Sequence, residues 1–138
     1  MKLPKISQSL MKSYVDYLNK KECGLFFKAR YIEKDPKADR EPSDAMKIGM
    51  FFEYLCTGAL PKNGQVPEAE YVYKGKSNER LAAPYERAVE SAQNFKKIID
   101  HYGIEIKEVG LSLQTEELSG VIDIFAIWDG KPVFIDLK

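Results

Sequence analysis

The stretch Gly120–Lys138, GVIDIFAIWDGKPVFIDLK, decides how this chain is read. Two runs rich in Val, Ile and Phe flank Asp129-Gly130. This dipeptide suits a two-residue type I′ turn, in which both central residues need positive φ. A tight antiparallel hairpin is therefore predicted. With such a turn Trp128 faces Lys131, and counting outward puts Asp123 directly opposite Asp136. Side chains alternate along a strand, so Lys138 projects to the face that carries Asp136. Phe125, Ile127, Pro132 and Phe134 share that face. The opposite face holds Ile122, Ile124, Ala126, Val133, Ile135 and Leu137.

Both faces are otherwise apolar, so the hairpin is expected to be buried on both. Two like charges directly across a ladder have Cβ atoms about 4.5–5.5 Å apart and destabilise an ordinary sheet. A hard divalent cation would offset the repulsion: Mg²⁺ takes oxygen ligands, needs few carboxylates and can also bind a phosphate oxygen. Lys138 would then stabilise added negative charge beside it. The alternative is a purely structural hairpin, with one Asp protonated or paired with Lys138 as an edge-strand ion pair. A simple ion pair needs one acid rather than two, and strand interiors normally lack Asp.

Upstream of the hairpin the pattern is helical. Ser7 caps a predicted helix bearing Leu10, Tyr14 and Leu18, and a second helix is expected over Leu25 to Ile32. Glu33 to Asp44 carries charge and two prolines and reads as an exposed connection. A third helix is placed at about 44–57, capped by Ser43, with Ala45, Gly49, Phe52 and Cys56 on one face and Gly58 as its stop. Lys62 to Ala83 reads as an irregular insertion whose one strand-like piece is Glu70 to Lys74. From Pro84 to His101 a long amphipathic helix carries Ala88, Ala92, Phe95 and Ile99, and Gly103 caps it. Ile104 to Leu113 then alternates as a strand. The expected class is α+β with an α/β core, N-terminal helices packing on a mixed central sheet, in one domain spanning 1–138.

The 138 residues carry 21 basic and 21 acidic side chains, so no global positive field marks a nucleic-acid partner and any such binding must use local patches. No long apolar run or secretory leader is visible, which predicts a soluble, cytoplasmic protein without a membrane partner. Cys23 and Cys56 lack metal-site spacing and read as two core thiols. His101, the one histidine, sits where a helix C-terminus favours a cation and reads as structural.

Gly120-x-x-Asp123 followed by Asp136-Leu137-Lys138 resembles the G-x-x-D and D-x-K motifs of RecB-type PD-(D/E)xK nucleases, a branch that includes phage exonucleases. The segment Gly49-Met50-Phe51-Phe52-Glu53 is similar to that family's upstream helix, in which a Gly precedes a His or Glu near the metal by four residues. ISQSLMKSY followed by ECGLFFKARY resembles its N-terminal helical segment. The resemblance implies a restriction-endonuclease-like fold and a metal-dependent deoxyribonuclease, exonucleolytic or endonucleolytic. Asp123, Asp136 and Glu53 would hold Mg²⁺ or Mn²⁺, with Lys138 as the catalytic cation. It implies DNA as substrate, contacted by Lys74, Lys76 and Arg80, or by Lys28 and Arg30. A homo-oligomer or a recombination or repair protein is the implied partner, in a bacterial or phage-infected cell. Family members continue beyond the D-x-K motif, so the chain is expected to be the N-terminal part of a longer protein, truncated on the C-terminal side of its sheet. The rival reading is a non-catalytic nuclease-like module that binds DNA or a protein partner.

Overall fold

A computed structural model describes residues 4–39, 41–74 and 78–137, without the side chains of 72–74, 78 and 79. It has helices and a three-stranded antiparallel sheet, a mixed α+β architecture. The described chain falls into two compact units, one of Met1–Glu41 with Ser112–Val121, the other of Pro42–Leu111 with Ile122–Lys138.

In the first unit α1 spans Gln8–Leu18, and the Ser7 hydroxyl accepts a hydrogen bond from the Leu10 amide at 3.3 Å as its N-cap. Helix α2, Gly24–Phe27, begins where the chain passes close under a ring: a Cβ on Gly24 would lie 2.9 Å from Tyr17 Cε2. The sequence predicts one α-helix to Ile32, but from Lys28 to Glu33 the backbone is π-helical and ends at Lys34 with φ +54°. This wider turn brings Tyr31 against Phe27, at 5.3 Å between ring centroids, and Phe27 in turn meets Tyr14 and Tyr17. Side-chain stacking, which local propensity does not report, thus accompanies the departure from α geometry. Buried Ser13 donates to Glu22 and closes the α1–α2 connection. Cys23 is exposed at the start of α2, which corrects its assignment to the core.

In the second unit α3 spans Asp44–Thr57, capped by the Ser43 hydroxyl and ended by Gly58 at φ +72°. Of the predicted stripe Phe52 and Cys56 are turned inward but Ala45 and Gly49 are exposed; Ile48, Met50, Phe51, Tyr54, Leu55 and Thr57 are partly buried in their place, since larger side chains gain more from burial. Helix α4, Ala83–Tyr102, buries Tyr85, Ala88 and Ala92 and ends at Gly103 with φ +59°. The two helices pack together, and Phe51 meets the edge of Tyr85 at 5.4 Å. Between them the expected irregular insertion contains a two-stranded ribbon, β1 (Tyr71–Lys74) paired with β2 (Asn78–Leu81). β2 reads Asn-Glu-Arg-Leu, a polar run with no strand signature of its own.

The main sheet has the order β3-β4-β5, with β3 at Glu105–Gln114, β4 at Ser119–Trp128 and β5 at Lys131–Ile135. Alternation along β3 is not uniform: Ile104 and Ile106 are partly buried, then Val109 and Leu111. The phase shifts between Ile106 and Val109, and Gly110 just beyond has a φ of +68°, which a glycine adopts without a steric penalty. Asp129 and Gly130 have φ of +50° and +69°, as a type I′ turn demands. Trp128 pairs with Lys131, and the register runs on to Ile124 opposite Ile135. Ile124 and Ala126 are fully buried, at 0% exposure, and form the centre of this sheet face.

Ile124→Ala is expected to cost about 2–5 kcal/mol through lost burial and a residual cavity. Phe134→Ala, on a side chain 63% exposed, should cost under about 1 kcal/mol. Urea unfolding of the two variants checks the contrast; equal losses would mean that the packed face has been misassigned.

Candidate functional site

The predicted hairpin forms, with the predicted register from Trp128–Lys131 to Ile124–Ile135; one further step would set Asp123 across from Asp136. The ladder itself ends at Ile135, one residue short of that step. Beyond it the Asp123 carboxylate replaces a strand partner: Oδ2 accepts a hydrogen bond from the Leu137 amide at 2.8 Å. The side chain thereby satisfies a backbone donor that the ladder no longer reaches, and the bond orients the Asp123 carboxylate. Asp123 is half-buried, whereas Asp136 is exposed.

The expectation that both hairpin faces are buried is corrected here. The face with Ile122, Ile124, Ala126, Val133, Ile135 and Leu137 holds the fully buried residues; on the other face Asp123, Phe125 and Ile127 of β4 are half-buried, whereas Pro132 and Phe134 of β5 and Asp136 just beyond it are open to water. Water screens a charge at Asp136, so the repulsion inferred from a doubly buried hairpin is weaker than the sequence suggests.

Glu53 lies on α3, exposed as a residue, yet its carboxyl has a pKa above the ordinary 4.5. Partial burial of the carboxyl is the larger cause and the negative charge of Asp123 the second. Helix and hairpin therefore bring these two acids within electrostatic reach. Glu53 also lines a small cavity of about 40 Å³ with Met50, Tyr54, Ala59, Leu60 and Pro61. Nearby, burial pushes the Cys56 thiol up to about 11; Lys96 opposes that shift and Glu53 reinforces it. Cys56 is thus a neutral packing residue and no nucleophile.

The three acids do not close into one cage: among the described residues no group of three or more His, Cys, Asp or Glu is placed to hold a metal ion together. Lys138 lies outside the described residues, as does Lys76. Lys74 ends β1, opposite Asn78. Arg80 is engaged: its Nε and Nη2 donate to the two carboxylate oxygens of Glu86 at 2.8 and 2.9 Å, tying β2 to the first turn of α4. That bidentate pair raises the Arg80 pKa and satisfies the fork that a phosphate would use. Lys28 pairs with Glu33 at 3.1 Å. His101, in the last turn of α4, stands edge-on to Tyr102, and Tyr102 meets Trp128 at 5.9 Å, joining the ends of α4 and β4. A broader cleft of about 730 Å³ in this unit, lined by Lys47, Met50, Pro61, Glu70 and Tyr85 among others, includes neither Asp123 nor Asp136. No helix among the described residues is long and apolar enough to cross a membrane. Compared with protein-family models, curated proteins and solved structures, the chain matched none of them.

A carboxyl whose folded pKa is raised stabilises the fold fully below its unfolded value and loses that contribution as pH rises through the folded value. For Glu53 the loss begins above about pH 4.5. Glu53→Gln should accordingly be more stable than wild type at neutral pH, with the gap closing in acid. Urea midpoints at neutral pH and in acid test the sign. A variant less stable at neutral pH would show that the Glu53 charge is stabilised in the fold rather than strained.

Proposed function

We propose that this chain is a metal-dependent nuclease of the PD-(D/E)xK type that hydrolyses DNA phosphodiester bonds. The observation that carries the reading is the hairpin register from Trp128–Lys131 to Ile124–Ile135, whose continuation by one step would bring Asp123 opposite Asp136, two residues before Lys138 in the sequence. Coupling of Glu53 to Asp123 supports it, since the motif pattern asks for an acid from that helix. The same reading takes α3, α4 and the β3–β5 sheet as the core of a restriction-endonuclease-like fold in a cytoplasmic enzyme.

The donor set suits a hard cation: Mg²⁺ is commonly held by one or two carboxylates with waters completing its shell, so a three-acid cage is not required. Asp123 would be the principal ligand. Its bond to Leu137 fixes its orientation, and a carboxylate keeps further lone pairs for an ion. Glu53 and Asp136 would hold ordered waters or complete the shell. When bound, Mg²⁺ or Mn²⁺ supplies a water of lowered pKa and neutralises charge on the phosphate. Lys138 would stabilise negative charge developing on the phosphate oxygens.

The second reading, a nuclease-like module without catalysis, is favoured by the absence of a closed three-acid group among the described residues. Calorimetric titration with Mg²⁺ and Mn²⁺ separates the two. Under the nuclease reading wild type binds, Asp123→Ala and Asp136→Ala lose binding at least tenfold, and both lose cleavage of a labelled DNA duplex. Folded wild type that binds neither ion and leaves DNA intact would overturn that reading and leave the module.

A further inference from the structure

The first unit contains a cleft of about 600 Å³ whose lining differs in charge from the rest of this neutral chain. Lys5, Arg30 and Lys34 line it, and no acid among the described residues does. Leu10, Tyr31 and Ile32 supply an apolar and aromatic floor, and Ser7, Gln114 and Ser119 add uncharged polar groups. We propose that this cleft is a binding groove for a single nucleic-acid strand, with Lys5, Arg30 and Lys34 on its phosphates and bases lying against Leu10, Tyr31 and Ile32.

The three cations are held in different ways, and together they outweigh the one acid among the described residues that pairs with them, Asp39. Lys5 Nζ donates to Gln114 Oε1 at 3.0 Å, a neutral acceptor that positions the ammonium without cancelling it. The Arg30 guanidinium lies 6.0 Å from the Phe26 ring centroid and 5.5 Å from that of Tyr31, so it lies over two aromatic rings. Its ionic partner Asp39 is loose, 3.7 Å from Nε, and 74% exposed, which leaves the cluster a net positive site. Lys34 has no acid within ion-pair distance among the described residues. Tyr31 is itself fixed, its hydroxyl donating to the Ser9 carbonyl at 3.1 Å.

Arg30 stands in the π-helical segment Lys28–Glu33, and Lys34 immediately follows it at φ +54°. This irregular turn delivers both cations to one cleft together with Lys5, which is remote in sequence. π-helical turns recur at functional sites for this kind of reason. The combination also argues for a strand rather than a free phosphate. A small polyanion needs the cations alone, whereas a single strand uses a cationic edge together with apolar or aromatic surface for its bases. The inference does not depend on the nuclease reading, because a binding module would use the same groove.

The test is binding of fluorescein-labelled oligothymidylate by anisotropy in EDTA, so that neither metal binding nor cleavage contributes to the signal. With three phosphate contacts, affinity should fall roughly 20-fold between 50 and 200 mM salt, a log–log slope of about −2. Lys5→Gln combined with Lys34→Gln, both exposed positions, should weaken binding and reduce the slope to about −0.7. Lys97→Gln, an exposed neutralisation on α4, should leave both unchanged. The proposal is overturned if wild type does not bind the strand. It is equally overturned if the double variant, with an unaltered circular dichroism spectrum, binds as wild type does. Displacement by tripolyphosphate as effective, per phosphate, as displacement by unlabelled oligothymidylate would also overturn it, by reducing the site to a small-anion pocket.

Discussion

The register of the β4–β5 hairpin is the constraint on which the candidate site depends. It is held from two ends: by Asp129 and Gly130, which adopt the positive φ values of a type I′ turn, and by Ile124 and Ala126, which are wholly enclosed. A slip of one residue would turn Ile124 and Ala126 toward water and Asp123 inward, exchanging favourable apolar burial for an enclosed charge. Burial of one face therefore places the acids on the other. The position of Asp123 follows from hydrophobic packing that has nothing to do with its own chemistry.

Around that hairpin the electrostatics are uneven. Asp123 is stabilised by a backbone amide, whereas Glu53 is partly desolvated and repelled by Asp123. An arrangement that costs stability in the folded chain and gathers negative charge is one that a cation relieves, which is why a strained carboxyl is informative where an exposed one is not. Arg80 illustrates the opposite case. A basic residue in a polar insertion looks available for a phosphate, yet its fork is satisfied by Glu86 and it serves to hold β2 on α4.

The first unit is built on different physics. Its enclosed apolar surface is small, and a chain of ring contacts among Tyr14, Tyr17, Phe27 and Tyr31 holds α1 to α2 and to the π-helical turn. That turn is also what carries Arg30 and Lys34 to the cleft that Lys5 enters from the start of the chain. Packing and a binding surface thus share one local irregularity.

How much was legible in the amino-acid order follows from the range of each interaction. The Ser7 and Ser43 caps, the glycine stops at Gly58 and Gly103, the Ala88 and Ala92 stripe and the Asp129-Gly130 turn all depend on residues a few positions apart. Such local chemistry is written directly in sequence, and with it the register that pairs Ile124 with Ile135. What only the tertiary structure decided were matters of long-range contact. Which hairpin face is enclosed depends on what lies over it, so the exposure of Phe134 and Asp136 could not be read from a pattern that is apolar on both sides. β2 exists because β1 supplies its hydrogen bonds, not because Asn-Glu-Arg-Leu favours a strand. Lys5 meets Arg30 and Lys34 through folding alone, and Glu53 meets Asp123 across a separation that no local rule spans. Short-range hydrogen bonding and steric preference act within a few residues; burial and electrostatic coupling are properties of the folded space between distant ones.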